Sequence, residues 1–153
     1  MPFYARKSTR IPGYDYTAAN YYFITICTHE KTCIFGEAGA LNSFGALALK
    51  GLSNIEKRFP HISIDNCIVM PNHVHAIIRM GEGEKGISLD QVVGLYKSGV
   101  SRQIHQIDPT IKVWQRSFHD HVIRNQKEYE NIWSYVEYND QKWNEDCYYL
   151  EES

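Results

Sequence analysis

Two β-prone runs, Ile62 to Met70 and His73 to Met80, meet at Pro71-Asn72, and an amphipathic helical stripe stands on either side of them. Strands joined by so short a turn pair antiparallel, and the flanking helices must then cover one of their faces. The upstream stripe, within Leu41 to Phe59, places Phe44, Ala48, Leu52, Ile55 and Phe59 in steps of three or four, and Pro60 stops it. The downstream stripe is Leu89, Val92, Val93, Tyr96, Val100 and Ile104. It opens at Ser88 with Gln91 in the capping-box position and breaks at Asp108-Pro109. A glycine-rich loop, Gly81-Glu82-Gly83-Glu84-Lys85-Gly86, separates the hairpin from that helix.

Three further elements complete the pattern. Tyr21 to Thr28 is aromatic and β-branched and reads as a buried strand, and Val113 to Ile123 reads as a fourth. Asn125 with Glu128 opens a last helix that runs to about Asn139. The order β-α-β-β-α-β predicts an α+β fold, a ferredoxin-like antiparallel sheet with two helices on one face. The additional C-terminal helix is then free to cover the other face. With no internal repeat and no linker, residues 1–153 read as one domain, preceded by an irregular arm over 1–16.

Hydrophobic residues at 43% and charged residues at 22% exclude a disordered chain. No apolar run approaches the roughly 20 residues of a membrane-spanning helix, and no signal-peptide pattern opens the chain, so a cytoplasmic protein is expected. A net charge of −2 argues against sequence-blind coating of nucleic acid. The charge is uneven, however. Arg6, Lys7 and Arg10 face no acid within the first twelve positions, and Lys97, Arg102, Lys112, Arg116 and Arg124 outnumber Asp108 and Asp120. The stretch after Asn125 is acidic. Cys27, Cys33, Cys67 and Cys147 form no C-x-x-C pair, which excludes a structural zinc motif and leaves Cys27 and Cys67 as core residues.

Chemistry concentrates at His73-Val74-His75. Side chains alternate along a strand, so both imidazoles point to one face, about 7 Å apart along the backbone, and can converge on one ion. His119-Asp120-His121 has the same spacing, but its central acid implies a charged rather than apolar opposite face. The first pair is therefore the better candidate, with His121 as a contact behind the ligands or to substrate. On the last helix the apolar stripe is Tyr129, Ile132, Trp133 and Val136. Tyr135 and Asn139, four residues apart, share one flank of that stripe, whereas Tyr138 points to solvent. A phenol and an amide placed there can reach a metal held by the sheet; Tyr135 also reads as one more boundary tyrosine.

Together these features resemble the single-tyrosine transposases of the HUH endonuclease superfamily, most closely the REP-associated tyrosine transposase branch. The resemblance is carried by Met70-Pro71-Asn72-His73-Val74-His75, by Tyr21 to Thr28, by Trp114-Gln115-Arg116-Ser117-Phe118 and by His121-Val122-Ile123-Arg124-Asn125. The helix from Tyr129 to Asn139 matches the segment that bears the family's nucleophile, and the similarity runs from about Arg10 to Trp143. It implies that His73, His75 and Asn139 hold a divalent metal, Mg2+ or Mn2+. It further implies that Tyr135 attacks single-stranded DNA near the foot of a hairpin to give a 5′-phosphotyrosine. Arg10, Lys97, Arg102, Lys112, Arg116 and Arg124 become phosphate contacts, and Trp114 or Phe118 a stacking surface for an unpaired base, although Trp114 reads equally as core. Such a bacterial protein would meet the nucleoid through its substrate and act alone or as a homodimer. Relatives usually place proline after the asparagine; here Asp140 alters the helix end or adds a carboxylate near the metal. The alternative is a domesticated relative that binds hairpin DNA without cleaving it. A metal-dependent hydrolase of small molecules is disfavoured, since no carboxylate is placed as its general base.

Overall fold

The computed structural model describes residues 20–81 and 87–145; the N-terminal arm with Arg10, most of the glycine-rich loop and Cys147 lie outside them. In chain order the elements are β1 (Asn20–Cys27), a small hairpin of β2 (Gly36–Glu37) and β3 (Ala40–Leu41), and α1 (Ser43–Arg58). Then come β4 (Ile62–Met70), β5 (His73–Met80), α2 (Leu89–Ile107), β6 (His119–Ile123) and α3 (Gln126–Glu137), followed by a 3-10 segment, Asn139–Glu145. The four long strands form one antiparallel sheet in the order β4-β5-β1-β6. β5 thus lies between β1 and β4, the split arrangement that the element order implies.

Strand alternation divides the side chains between two cores. Tyr22, Ile24 and Ile26 of β1, with Val74, Ala76 and Ile78 of β5, meet the apolar stripes of α1 and α2. All six stripe residues of α2 are buried, and both bonds of the Ser88–Gln91 capping box form. On the other face Phe23, Ile77 and Ile123 meet Ile132 and Val136 of α3. The third helix therefore covers the second face, as its apolar stripe requires. Asn125 starts it by accepting a hydrogen bond from the Glu128 amide through its side chain.

Two expectations are corrected, and one element is new. The fourth strand is shorter than Val113 to Ile123: Trp114 makes only a lone bridge to Thr28, and regular pairing begins at His119. The cause is local, since Ser117 sits at φ 67 and the Lys97 ammonium donates to the carbonyls of Gln115 and Ser117. The face opposite His119 and His121 is core rather than charged surface, because Val122 packs into the main core and Asp120 is buried on the same side. Finally, the β2–β3 hairpin has no counterpart in the sequence pattern. It needs Gly36 at φ 105, where a Cβ would stand 2.6 Å from the Asn42 nitrogen.

Candidate active site

β5 lies between β4 and β1, so its side chains are enclosed from both flanks. His73 and His75 are fully buried on the face that α3 covers, while Val74 points into the main core. Their two Nε2 atoms are 3.1 Å apart. Oxygens hold the far side of each ring: Asn72 Oδ1 lies 2.8 Å from His73 Nδ1, and Thr25 Oγ1 lies 2.9 Å from His75 Nδ1. With Nδ1–H donating to these oxygens, both Nε2 lone pairs face the same point. Neither oxygen was evident from the histidine spacing. The available signal was parity: Thr25 interrupts the apolar stretch from Phe23 to Cys27, and it pairs directly with His75 across the sheet.

Tyr135 joins the pair from α3. Its hydroxyl lies 3.5 Å from His75 Nε2, at the outer limit of a hydrogen bond, and its ring centroid is 5.3 Å from that of His75. Phe23 supports both, stacked on His75 at 5.2 Å and edge-on to Tyr135 at 6.1 Å. Tyr138, by contrast, is 51% exposed, as its helical position requires. The tyrosine and the histidines that receive it belong to one chain.

Polar ties fix the helix that carries Tyr135. A register shift in β4 turns Asp65 and Asn66 toward α3. The Tyr129 hydroxyl donates to Asp65 at 2.7 Å, and the Asn66 amide donates to the Trp133 carbonyl at 3.2 Å. At the other end His121 Nε2 meets Glu128 Oε2 at 2.8 Å. His121 is therefore a tether of α3 in this fold.

Beyond α3, Asn139 opens the 3-10 segment, which packs against β4 and brings the Trp143 ring to 6.1 Å from His73. Asn139 is buried, and its Oδ1 has no hydrogen-bond partner among the described residues. A buried acceptor left without a donor is costly unless something else uses its lone pairs. Asp140 lies beside Gly39 of the β2–β3 turn, with Oδ2 3.9 Å from where a Cβ would stand there. Among the described residues no group of three or more His, Cys, Asp or Glu is arranged to hold a metal. The donors seen to converge are the two imidazoles.

The basic residues are spread more widely. Arg102, Lys112, Arg116 and Arg124 are exposed. Arg102 lies on α2, across the sheet from the histidines, whereas Arg124 directly follows β6 at the start of α3. Lys97 is half-buried; burial lowers its pKa from the ordinary lysine value, and its ammonium is engaged by the Gln115 and Ser117 carbonyls. Trp114 packs against Phe35 and Tyr96 at 5.5 and 5.8 Å, and its ring nitrogen donates to the Lys97 carbonyl. Its surroundings are those of a core aromatic, and Phe118 is likewise packed against the main core.

Residues 16–139 match the model of a protein family described as "Transposase IS200 like". The chain belongs to this IS200-like transposase family. A Haemophilus influenzae protein of uncharacterised function is 31% identical, the match covering 95% of this chain and 94% of the relative. A second protein of that organism, named for the REP-associated tyrosine transposases, is 24% identical over 82% of this chain and 72% of its own. Among solved structures, a REP-associated tyrosine transposase bound to a REP hairpin superposes with a TM-score of 0.63 and 20% identity, covering 88% of this chain and 74% of that one. A transposase-type protein of Deinococcus radiodurans gives 0.55 with 15% identity, covering 85% and 96%. Both structures share the α+β fold of this IS200-like member. No described helix is long and apolar enough to cross a membrane.

Proposed function

We propose that this protein nicks and rejoins single-stranded DNA beside hairpins through a covalent 5′-phosphotyrosine on Tyr135. One observation carries the reading: the Tyr135 hydroxyl lies 3.5 Å from His75 Nε2, which is 3.1 Å from His73 Nε2. The hairpin substrate is supported by the partner of the structural relative.

The donor set fits a divalent cation. Two imidazole nitrogens 3.1 Å apart on one face of the sheet are close enough to share one ion. The partnerless Asn139 Oδ1 offers a hard oxygen besides. His73, His75 and Asn139 would hold Mn2+ or Mg2+, the two imidazoles suiting Mn2+ better. The bound ion supplies charge neutralisation and polarisation at the scissile phosphate.

The protein's own residues do the rest. A phenol has a pKa near 10, so position must make up for weak nucleophilicity. The fixed α3 holds the Tyr135 oxygen on the face where the phosphate would lie, which replaces a chance encounter by a set approach. Tyr135 bonds to phosphorus, the bond to the upstream 3′-oxygen breaks, and the phenolic proton is balanced by the proton that the 3′-hydroxyl gains. The reverse step rejoins the strand with no external energy source.

The test incubates the protein with a hairpin oligonucleotide and Mn2+ and resolves a protein–DNA adduct on a denaturing gel. Tyr135→Phe is expected to abolish the adduct while keeping hairpin binding, and Tyr138→Phe to keep both. An adduct that persists in Tyr135→Phe places the nucleophile elsewhere. Hairpin binding by the unaltered protein without any adduct favours the non-cleaving reading instead.

A further inference from the structure

We propose that the end of the sheet remote from the histidines holds an unpaired nucleobase of the DNA, stacked on Tyr21 between Arg79 and Arg124. This rests on the single-stranded DNA reading above and adds a recognition subsite to it.

Tyr21 is the anomaly of β1. It is 37% exposed, whereas every residue from Tyr22 to Cys27 is buried. Tyr21 shares the face of Phe23 and Thr25, hence of the histidine pair, and α3 covers it only in part, through Tyr129. An open cleft of ≈ 390 Å³ lies there, walled by Tyr21, Ile123, Arg124, Asn125, Gln126 and Tyr129. That is the size of a small-ligand pocket and fits one base, not a duplex.

The walls are rigid and their charge is one-sided. Tyr129 meets Tyr21 edge-on, at 5.4 Å and 80°, and its hydroxyl is tied to Asp65, which fixes the back of the cleft. Arg79 lies directly beside Tyr21 on β5, and Ile123 directly beside it on β6, with Arg124 next in the chain. Both arginine side chains are exposed, and among the described residues neither guanidinium has an ion-pair partner. The neighbouring acids are occupied: Asp65 accepts from Tyr129 and Ser63, and Glu128 accepts from the Arg124 amide and meets His121. An exposed aromatic ring flanked by two exposed arginines suits a base on the ring with its flanking phosphates on the cations.

The position also sets a distance. Tyr21 lies four residues along β1 from Thr25, the partner of His75, which is about 13 Å. At 3.4 Å per stacked nucleotide the held base lies about four nucleotides from the scissile phosphate, and fewer if the strand is extended.

The experiment measures fluorescence anisotropy in EDTA, where no cleavage occurs. Its probe is a hairpin with a single-stranded dT extension at its foot, carrying an abasic site at each extension position in turn. One abasic position should weaken binding to the unaltered protein by about 5- to 100-fold. Tyr21→Ala should flatten that profile and Tyr21→Phe should preserve it. The double variant Arg79→Gln, Arg124→Gln should weaken binding to the extended hairpin but not to a hairpin without the extension. A profile that is the same in the unaltered protein and Tyr21→Ala, or a double variant that weakens both probes alike, overturns the subsite. The two readings fail separately: a position-dependent profile with no adduct in Mn2+ sinks the nicking reading alone, and a flat profile with a normal adduct sinks the subsite alone.

Discussion

His121 Nε2 and Glu128 Oε2 meet at 2.8 Å and join the edge strand β6 to the first turn of α3. Glu128 uses its other oxygen to accept from the Arg124 amide, so one carboxylate ties strand, turn and helix together. At the opposite flank Asp65 and Asn66 of β4 hold Tyr129 and the Trp133 carbonyl. The helix that carries Tyr135 is thus tethered at both edges of the sheet, which is how a short helix holds that phenol at a fixed point above β5.

The Glu128 tether should fail in acid. Burial pushes its carboxyl upward, but the Arg124 amide and the His121 ring outweigh that, and its pKa is lowered from the ordinary glutamate value. A carboxylate with a depressed folded pKa adds stability above its unfolded pKa and loses it as pH falls through the folded one. Glu128 is only partly buried, its side chain 28% exposed, so solvent screening holds the contribution to about 0.2–1 kcal/mol. Urea unfolding of the unaltered protein and Glu128→Gln should therefore differ at pH 7, with the gap closing as pH drops below the ordinary glutamate range. A gap that stays constant into strong acid would show that the charge of Glu128 contributes nothing.

The histidine pair makes a second expectation that does not depend on cleavage. A ligand at a hundredfold excess over its Kd stabilises by about 2.7 kcal/mol, about 5–10 °C in Tm for a domain of this size. Mn2+ should raise the Tm of the unaltered protein to that extent, His73→Ala and His75→Ala should abolish the shift, and Asn139→Ala should reduce it. Removing a buried ring lowers Tm for packing reasons alone; only the loss of the Mn2+ shift reports on ligation. An undiminished shift in His73→Ala would place the ion elsewhere.

Much of the fold was legible because periodicity reports it directly. The stripe of α2 and its Ser88–Gln91 cap are local patterns, and every stripe residue is buried as its spacing requires. The shared face of His73 and His75 follows from strand parity alone. What was hidden depends on tertiary partners: the Thr25 and Asn72 oxygens behind the imidazoles, the β4 register shift that aims Asp65 at Tyr129, and the Lys97 hook that truncates the fourth strand. None of these leaves a periodic trace, since each joins residues from separate elements.

Lys97 gives a prediction that separates structure from DNA contact. Its ammonium donates to the Gln115 and Ser117 carbonyls at 2.9 and 2.8 Å. Hydrogen bonds of a charged group contribute about 1.5–3 kcal/mol, so Lys97→Met should lower unfolding free energy by that order. The salt dependence of hairpin binding should stay as it is, because the ammonium is already engaged. Arg116→Gln, at an exposed position, should leave stability unchanged and reduce the salt slope by about one. A reduced slope in Lys97→Met would mean that its ammonium leaves the loop for a phosphate.

The contact between α1 and α2 depends on the smallness of Gly51. A Cβ there would stand 2.9 Å from Tyr96 Cε1 and 2.9 Å from Val100 Cγ2, both on buried side chains. The Tyr96 ring cannot swing aside cheaply, because its hydroxyl donates to the Ala48 carbonyl at 2.8 Å. Gly51→Ala gains about 1 kcal/mol of helix propensity but forces an overpacked helix pair that costs about 1–3 kcal/mol. The overpacking should win, and Tm should fall. Gly99 on the facing helix is the control: a Cβ there meets nothing within 4 Å. Gly99→Ala should therefore keep the propensity gain and raise the Tm. If both substitutions raise it, the helices part more readily than the Tyr96–Ala48 bond allows, and that bond does not fix their spacing.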